Sequence, residues 1–297
     1  MSDRYLLPPW KLRGVPRFPV TFWRYVCNQS YCTLFRSFKQ RHTESKHQLT
    51  WLLTMIETRQ SPGKGQGIFA TESIQRGARV LSERPLVIFD SAPTPQQLQE
   101  AFDLLSLESQ NEYLDLTHNA SALAPQPGAP HAEYSGLIAS KIAAIFENNA
   151  FDIPGTNGNS GAAIFLKGTR LNHACVPNIC HSWNPTLEQK TFHTIRDIQE
   201  GEELTIAYSR PFALRRDRQE YLQSRHGFLC NCIACDETTE YGNASETRRR
   251  EMYKIYAELH EMRQYSNGLL RAEQALCERL IRLMEDEGLN GWSKGDL

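Results

Sequence analysis

The order of hydrophobic and polar positions divides the chain into β-like and helical stretches. From Thr50 onward the runs TWLLTMIETRQ, IFATESI and RVLSERPLVIF are short and apolar, and glycine-containing turns separate them. The same texture returns in AAIFLKGTRLNH and in KTFHTIRDIQEGEELTIAYS. These runs predict one β-rich domain in two parts, at residues 49–89 and 164–209.

Between these two parts the apolar residues change to helical spacing. The run TPQQLQEAFDLLSLESQNEYLDL is followed by a proline-rich loop and by a second helical run, GLIASKIAAIFENNAF. The apolar positions of the first run are Leu98, Phe102, Leu105, Tyr113 and Leu116. Residues 90–163 are therefore predicted to be a helical insertion within the β-rich domain.

The last part of the chain also has helical spacing. Residues 246–287 carry two apolar stripes, which predict a pair of helices within a helical tail at 241–297. The first stripe consists of Tyr253, Ile255, Leu259 and Met262. The second consists of Leu270, Ala272, Leu276, Leu280 and Leu283. Such stripes usually pack into a core, so we favour a core over a groove for a partner protein.

The first 48 residues differ from the rest in composition. They are aromatic and basic, and Asp3 and Glu44 are their only acids. A basic, acid-poor N-terminus is one property of a mitochondrial transit segment, but this one is broken by prolines and is not rich in serine. A disordered arm or a surface-packing extension is favoured, and its role stays open.

Overall composition restricts the partners and the compartment. The net charge of −1 and pI of about 6.8 give no reason to expect direct nucleic-acid binding or an anionic membrane partner. No apolar run reaches the roughly 18 residues of a membrane span, and no signal-peptide pattern is present. The eight cysteines are not spaced like a disulfide framework. We expect an intracellular monomer, in the nucleus, the cytoplasm or both.

Three of the cysteines form a local cluster in the sequence CNCIAC. Cys230, Cys232 and Cys235 lie within six residues, and thiolates at this spacing suit a tetrahedral zinc ion that needs a fourth ligand. Cys175, within RLNHACVPN, is the preferred fourth ligand. The alternatives are Cys180, His181 and His226. Residues 210–240 are predicted to form a segment held by this structural zinc.

Other motifs carry little information one at a time. The glycines of SPGKGQG permit positive φ and a close approach of a ligand to the backbone, but the stretch lacks the spacing of a phosphate loop. Leu204, Ile206 and Tyr208 alternate along a predicted strand. Taken one at a time, each feature also has a purely structural explanation. The glycine stretch could be an ordinary hairpin, and Tyr208 could be a core residue. In RLNHACVPN, Asn172 could cap a turn and His173 could be a buried core histidine.

Together and in this order, SPGKGQG, RLNHACVPN, GEELTIAY and FLCNCIAC resemble the SET-domain protein lysine methyltransferases. RLNHACVPN matches their Asn-His-x-Cys-x-Pro-Asn motif, and the cysteines match the post-SET zinc motif. The helical insertion and tail are most similar to the split-SET branch typified by the SET-and-MYND proteins. The resemblance covers roughly residues 50–236.

The resemblance implies an α+β fold with several parts. These are a β-rich SET fold with a knot-like crossing, the helical insertion, a zinc-bound post-SET segment and the helical tail. It also implies that S-adenosyl-L-methionine is the methyl donor, and that the partner is a protein substrate bearing a lysine, histone or non-histone.

The resemblance further implies a donor site. The backbone and side chains around the glycines would lie against the methionine part of the donor, at Lys64, Gly65, Gln66 and Gly67. Asn172 and His173 would hold its amino group and adenine. Asn149 would join them, although the neighbouring Asn148 matches equally well.

Tyr208 is the implied catalytic residue, with its hydroxyl at the methyl-transfer centre and in contact with the donor. Phe228 would cover the adenine or line the channel for the substrate lysine. Asn178 would brace the knot-like crossing. Cys175 would bind the zinc together with Cys230, Cys232 and Cys235.

The chain departs from the family pattern in two places. The insertion contains no cysteine, so a MYND zinc finger is not expected there. His226 stands two residues before Phe228, where split-SET relatives often have tyrosine, and it would line the substrate channel. Its imidazole is shorter than a phenol and titrates near pH 6.5 when unperturbed, so the degree of methylation stays open.

Two functions follow from this reading. The first is methyl transfer to protein lysines, which the intact Tyr208, Asn172 and His173 favour. The alternative is a catalytically weak or inactive SET-like scaffold that recruits other proteins through the helical tail.

Overall fold

The structure is a computed structural model that describes residues 55–119, 134–155, 160–210, 212–265 and 270–289. The extension predicted at 1–48, the first residues of TWLLTMIETRQ and most of the proline-rich loop lie outside this part of the chain. Two compact units are present. One contains the described residues up to Tyr208 together with Leu222–Cys230, and the other contains Ser209–Tyr221 and the described residues from Asn231 onward.

The strands of the described chain all belong to the first unit. In chain order they are β1 (Ile56–Ser61), β2 (Gly65–Ala70), β3 (Arg79–Glu83), β4 (Val87–Phe89), β5 (Phe151–Pro154), β6 (Ser160–Ile164), β7 (Asn172–His173), β8 (Ile179–Asn184), β9 (Gln189–Thr194) and β10 (Glu203–Ile206). They form three small sheets, with the orders β1-β2-β10-β7, β3-β9-β8 and β4-β6-β5. The strands pair antiparallel except for β7 and β10, which run parallel.

One apolar core is shared by the sheets that carry the motifs singled out in the sequence. Ile68, Leu171, Ile179, Phe192 and Ile206 are among its buried members. Tyr208 packs against this core while remaining half-buried. The core therefore sets the positions of the segments on either side of β7 and β10, where the candidate site residues lie.

Three helices make up most of the predicted insertion. They are α1 (Pro95–Asp103), α2 (Leu107–Leu114) and α3 (Tyr134–Asn149). Thr94 starts α1 with a reciprocal capping box to Gln97, and Pro95 at the first helical position fits because its missing N–H would have no partner there. Four of the five predicted apolar positions, Leu98, Phe102, Tyr113 and Leu116, are buried in one cluster with α3, and Leu105 packs against that cluster while partly buried.

The structure differs from the sequence prediction in several boundaries. The first helical run is two helices, because Ser106 caps a new helix at Leu107. The end of the segment predicted as helical insertion contains β5 and most of β6. RVLSERPLVIF is broken between β3 and β4, where Pro85 cannot donate to a ladder.

The glycine stretch and Tyr208 also lie in different elements from those predicted. SPGKGQG is a turn only as far as Lys64, because β2 begins at Gly65. Tyr208 does not lie on a strand, since β10 ends at Ile206. Side chains beyond a strand end are held by individual contacts and not by the ladder.

The second unit is helical in the described residues. Helix α4 (Arg215–His226) begins in it, and α5 (Glu240–Tyr265) and α6 (Leu270–Asp286) lie within it. The buried members of its core are Phe212, Met252, Ile255, Tyr256, Leu259, Cys277, Leu280, Met284 and Leu289. The prediction of a packed helical pair is confirmed, but Tyr253 and Ala272 were wrongly placed on the stripes because both are exposed.

A buried ion pair completes the second unit. The guanidinium of Arg249 and the carboxylate of Glu287 are fully buried, with 3.0 Å between Nη2 and Oε1. Arg248 binds the other carboxylate oxygen at 2.7 Å. A buried carboxylate with two such partners keeps its charge compensated. No helix of the described chain has the length and apolarity that a membrane crossing requires.

Candidate active site and metal centre

The glycine stretch forms a tight hairpin between β1 and β2. Gly63 and Gly65 have φ of 73° and 77°, which other residues rarely adopt. Gly67 is needed for a different reason. A Cβ there would lie 2.6 Å from Oε1 of Glu203 and 2.9 Å from Nδ2 of Asn172. The bare backbone at Gly67 therefore allows two polar side chains to reach the hairpin.

Glu203, at the start of β10, links the hairpin to the RLNHACVPN stretch. Its carboxylate accepts from Nδ2 of Asn172 at 2.7 Å and from Nζ of Lys64 at 3.0 Å. The Asn172 amide also donates to the carbonyl of Gln66 at 3.1 Å. Burial raises the pKa of Glu203, but hydrogen bonds from Asn172, Lys64 and Ser61 outweigh it, so the net pKa is lowered. The carboxylate is thus charged at neutral pH, and Oδ1 of Asn172 is left to accept from another group.

His173 is buried, and both of its ring nitrogens have partners within the chain. The backbone N–H of Tyr208 donates to Nδ1 at 3.0 Å, and Nε2 lies 3.3 Å from Sγ of Cys175. The imidazole is 5% exposed. Its predicted contact with a donor molecule would therefore have to come from its backbone or ring face, and the sequence did not indicate the two contacts that it makes.

Tyr208 is oriented at both its backbone and its hydroxyl. In addition to the backbone bond to His173, its hydroxyl donates to the carbonyl of Leu171 at 2.7 Å. Burial, and to a smaller extent the Glu203 carboxylate, raise the pKa of the Tyr208 hydroxyl. The side chain is therefore a neutral phenol at neutral pH, with oxygen lone pairs that can accept.

His226 lies against Tyr208, with 4.8 Å between ring centroids, and Phe228 lies 6.3 Å from His226. Nδ1 of His226 is 3.2 Å from Oδ1 of Asn148, whose Nδ2 donates to the carbonyl of Thr117 at 3.1 Å. That second bond fixes the orientation of the amide, so Nδ1 of His226 is the donor and carries the proton. Burial and then the nearby Arg225 lower the pKa of His226 to about 4. His226 is a neutral imidazole.

The two neighbouring asparagines at the end of α3 have different partners. Asn149 donates to the carbonyls of Thr117 at 2.6 Å and Ile145 at 2.8 Å. Asn148 is the one that contacts a predicted channel residue. A role of Asn149 in donor binding stays a prediction, and it would fall to the amide oxygen because the amide N–H groups are already used.

Asn178 connects RLNHACVPN to β10. Its Oδ1 accepts from the backbone N–H of Thr205 at 2.7 Å, and its Nδ2 donates to the carbonyl of Glu203 at 2.8 Å. It is 2% exposed. Its contacts are those of a bracing residue, whereas the knot-like crossing itself stays a prediction.

The four predicted cysteine ligands come together. The sulfur atoms of Cys175, Cys230, Cys232 and Cys235 all lie within 4.8 Å of one another, and those of Cys175 and Cys230 are 3.9 Å apart. Four thiolates around a tetrahedral zinc at about 2.3 Å would be about 3.8 Å apart. A disulfide would need about 2.05 Å. The cluster fits a structural zinc ion.

The three alternative ligands lie in other surroundings. His181 packs edge-on against Phe151 at 5.2 Å, and His226 contacts Asn148 and Tyr208. Cys180 pairs with His193 in the β8–β9 ladder. Among the candidates from the sequence, the structure therefore brings Cys175 to the cluster.

Sequence reasoning missed some residues that support the site. Arg218, on α4, is fully buried, and its guanidinium lies 3.6 Å from Sγ of Cys235. Glu203, which holds the Asn172 amide, was not predicted to be a site residue. Glu83 was not singled out, yet it accepts from the backbone N–H groups of Lys167 and Gly168 at 2.9 Å each, just before the Asn172 segment. One sequence signal could have drawn attention to Glu203, namely two consecutive acids where a predicted strand begins.

Known proteins resemble this chain over the stretch that carries these residues. Residues 65–209 match the family model of the SET domain. The histone-lysine N-methyltransferase set5 of Schizosaccharomyces pombe is 33% identical over 192 residues, which are 64% of this chain and 54% of that protein. The N-lysine methyltransferase SMYD2 of Gallus gallus is 25% identical over 192 residues, 62% of this chain and 42% of that protein.

A plant relative aligns over a shorter stretch. The histone-lysine N-methyltransferase ATXR4 of Arabidopsis thaliana is 37% identical over 81 residues, 27% of this chain and 25% of that protein. The chain spans about half the length of the fission-yeast relative and less of the others. The α+β class predicted from the sequence is confirmed. Over residues 65–209 the chain is similar to the SET-domain family.

Proposed function

We propose that this chain is an S-adenosyl-L-methionine-dependent protein-lysine N-methyltransferase. The observation that carries the proposal is the orientation of Tyr208, by His173 at its backbone and Leu171 at its hydroxyl, next to a neutral imidazole. The SET domain and the methyltransferase names of the relatives support the same activity.

The donor side of the proposed site is the β1–β2 hairpin and Asn172. When bound, S-adenosyl-L-methionine supplies a methyl group on a positively charged sulfur, which a neutral lysine amine attacks directly. Backbone at Gly65 and Gly67 offers close approach, and Oδ1 of Asn172 can accept from an amino group. The Glu203 carboxylate fixes the Asn172 amide, so the acceptor oxygen is oriented before the donor arrives.

The acceptor side is lined by groups without net charge. Tyr208 stays a phenol, and His226 stays a neutral imidazole. A channel of this kind favours the uncharged amine over the ammonium form of a lysine, because a charged group is costly to desolvate. The oxygen of Tyr208 can accept from the amine or from the polarised methyl hydrogens and so orient the transfer.

The metal centre has an architectural role in this proposal. Four thiolates fill the coordination of zinc and leave no position for a substrate. Cys175 lies two residues from His173 and three from Asn172. Zinc would therefore hold the segment that carries the proposed donor-binding residues without taking part in the transfer.

Several further assignments belong to the same proposal. They are the split-SET branch without a MYND finger, action as a monomer, and a location in the nucleus, the cytoplasm or both. The histone-lysine names of two relatives support a histone as one substrate, whereas SMYD2 is named only for lysine.

Methylation of cell extract with isotope-labelled donor tests the activity. We expect labelled methyl groups on lysines of one or a few proteins, identified by mass spectrometry, and donor binding by calorimetry in the purified chain. Binding without any transfer to extract or core histones would favour the scaffold alternative. The absence of both donor binding and methyl transfer would contradict the proposal.

Replacing Gly67 with alanine is expected to weaken donor binding. The new methyl group would displace Glu203 and Asn172 from positions 2.6 and 2.9 Å away, and the loss of an oriented polar partner usually costs about 1–3 kcal/mol. Calorimetry would measure the change in Kd. Thr58→Ala, at an exposed position on β1, is the control. Equal Kd values for Gly67→Ala and the parent would mean that the hairpin does not contact the donor.

Replacing His226 with glutamine is expected to reduce the amount by which the free energy of unfolding falls as the pH is lowered from 6.5 to 4. The folded pKa of about 4 lies below the ordinary value of 6.5, so the unfolded chain binds the extra proton between these values. Stability from this group is present above pH 6.5 and is lost as pH falls through 4. Urea unfolding at several pH values from 4 to 7.5 measures the slope.

His193→Gln is a matched control for that experiment. Burial, and then Arg79, lower the pKa of His193 to about 4 as well. Both variants should reduce the dependence of the free energy of unfolding on pH in the same pH range, whereas only His226→Gln should change methyl transfer. A parent-like acid slope in His226→Gln would show that the imidazole is not buried as a neutral group.

A further inference from the structure

The imidazole of His173 forms a bridge between the metal centre and the backbone of Tyr208. On one side Nδ1 is 3.0 Å from the Tyr208 backbone nitrogen, and on the other Nε2 is 3.3 Å from Sγ of Cys175. The residue is buried, and its backbone is paired with Ile206 at the end of β10. The ring therefore has little freedom to move independently of either partner.

The partners determine which nitrogen carries the proton. A backbone N–H can only donate, so Nδ1 is the acceptor and the ring proton lies on Nε2. This proton points at the sulfur of Cys175. An N–H group directed at a metal-bound thiolate orients the ligand and offsets part of its charge.

Tyr208 depends on this bridge more than a strand residue would. It lies two residues beyond the end of β10, and its backbone N–H and its hydroxyl donate to His173 and Leu171. Both partners belong to the short segment that ends at Cys175. A change in the position of that segment is therefore transmitted to the tyrosine.

We propose that His173 is a positioning residue that couples metal binding at Cys175 to the placement of Tyr208. Metal bound by Cys175 fixes the position of the His173 imidazole, and the imidazole keeps the Tyr208 backbone in the orientation needed for methyl transfer. The coupling is a property of metal binding and local order, and it rests on the proposed function only for its effect on turnover.

Two substitutions separate the halves of the bridge. In His173→Asn the amide oxygen can take the place of Nδ1 and accept from Tyr208, but the side chain is too short to reach Cys175. In His173→Gln the amide nitrogen can take the place of Nε2 and donate to Cys175, but no acceptor remains at the Nδ1 position. Each variant therefore retains one contact and loses the other.

Zinc affinity is measured by competition with a chromogenic chelator, and amide hydrogen exchange is followed at Tyr208 with and without zinc. The control amide is that of Ile74, which donates to Ile198 at 2.9 Å in the same unit. In the parent we expect zinc removal to speed exchange at Tyr208 about 10-fold or more and to leave Ile74 unchanged.

The variants should differ in opposite ways. His173→Asn should lose about 10–100-fold in zinc affinity, the usual scale for the partner of a metal ligand, and its Tyr208 exchange should no longer respond to zinc. His173→Gln should keep zinc affinity within about 3-fold and show fast Tyr208 exchange even with zinc bound. On a substrate that the parent methylates, His173→Gln should lower kcat.

Equal loss of zinc affinity in both variants would overturn the coupling and leave His173 as an ordinary buried residue. The coupling would also be overturned if the amide exchange rate of Tyr208 in the parent did not depend on zinc, or if it changed only when that of Ile74 changed as well. If neither variant folds, the zinc-removal measurement on the parent decides alone. Because these readouts need no substrate, failure of the coupling is separate from absence of methyl transfer in the parent.

Discussion

Tyr208→Phe is expected to lower single-turnover methyl transfer by about 100-fold or more while donor binding persists. The ring, and with it the packing against the apolar core and His226, is retained. The change removes the hydroxyl oxygen, which we propose orients the amine and the methyl group. It also removes the hydrogen bond to Leu171, so we expect a loss of about 1 kcal/mol in stability as well.

Tyr113→Phe provides a matched control for the stability effect. Tyr113 is buried, and its hydroxyl donates to the carbonyl of Ile142 at 2.8 Å, so the same chemical group is lost away from the site. Both variants should shift the melting temperature similarly, and only Tyr208→Phe should lose turnover. Transfer at the parent rate by Tyr208→Phe would mean that Tyr208 serves packing alone.

Cys232→Ser is expected to abolish stoichiometric zinc binding and to loosen residues 225–240. Structural zinc sites contribute about 10–16 kcal/mol of apparent binding energy, which is also folding energy for the segment that they hold. Elemental analysis should give one zinc per parent chain and less than that in the variant. Proteolysis and hydrogen exchange would report the loosening.

Cys180→Ser is the control for the metal prediction. Cys180 was an alternative fourth ligand in the sequence, but it lies in the β8–β9 ladder and should be replaced without loss of metal. The zinc assignment would be wrong if the parent chain contained no metal and residues 225–240 were nevertheless protected from proteolysis and hydrogen exchange. Loss of zinc in Cys180→Ser would reopen the identity of the fourth ligand.

Local features were predictable because they depend on neighbours in the chain. The spacing of Leu98 and Phe102 indicated a buried helical face, and the three cysteines within CNCIAC indicated a metal cluster. The glycines predicted a turn, although not that a strand begins at Gly65. The strand assignment of Tyr208 failed because alternation continues for two residues after the ladder ends.

The sequence by itself determined the motifs, their order and the chemical groups available to the candidate site. Only the tertiary structure decided which of these groups meet. It brought Cys175 to a cluster 55 residues away, His173 to Tyr208 35 residues away, and Asn148 to His226 78 residues away. The physical reason is that helix and strand signals arise from contacts a few residues apart, whereas hydrogen-bond partners of buried polar groups are selected by the packing of distant segments against a common core.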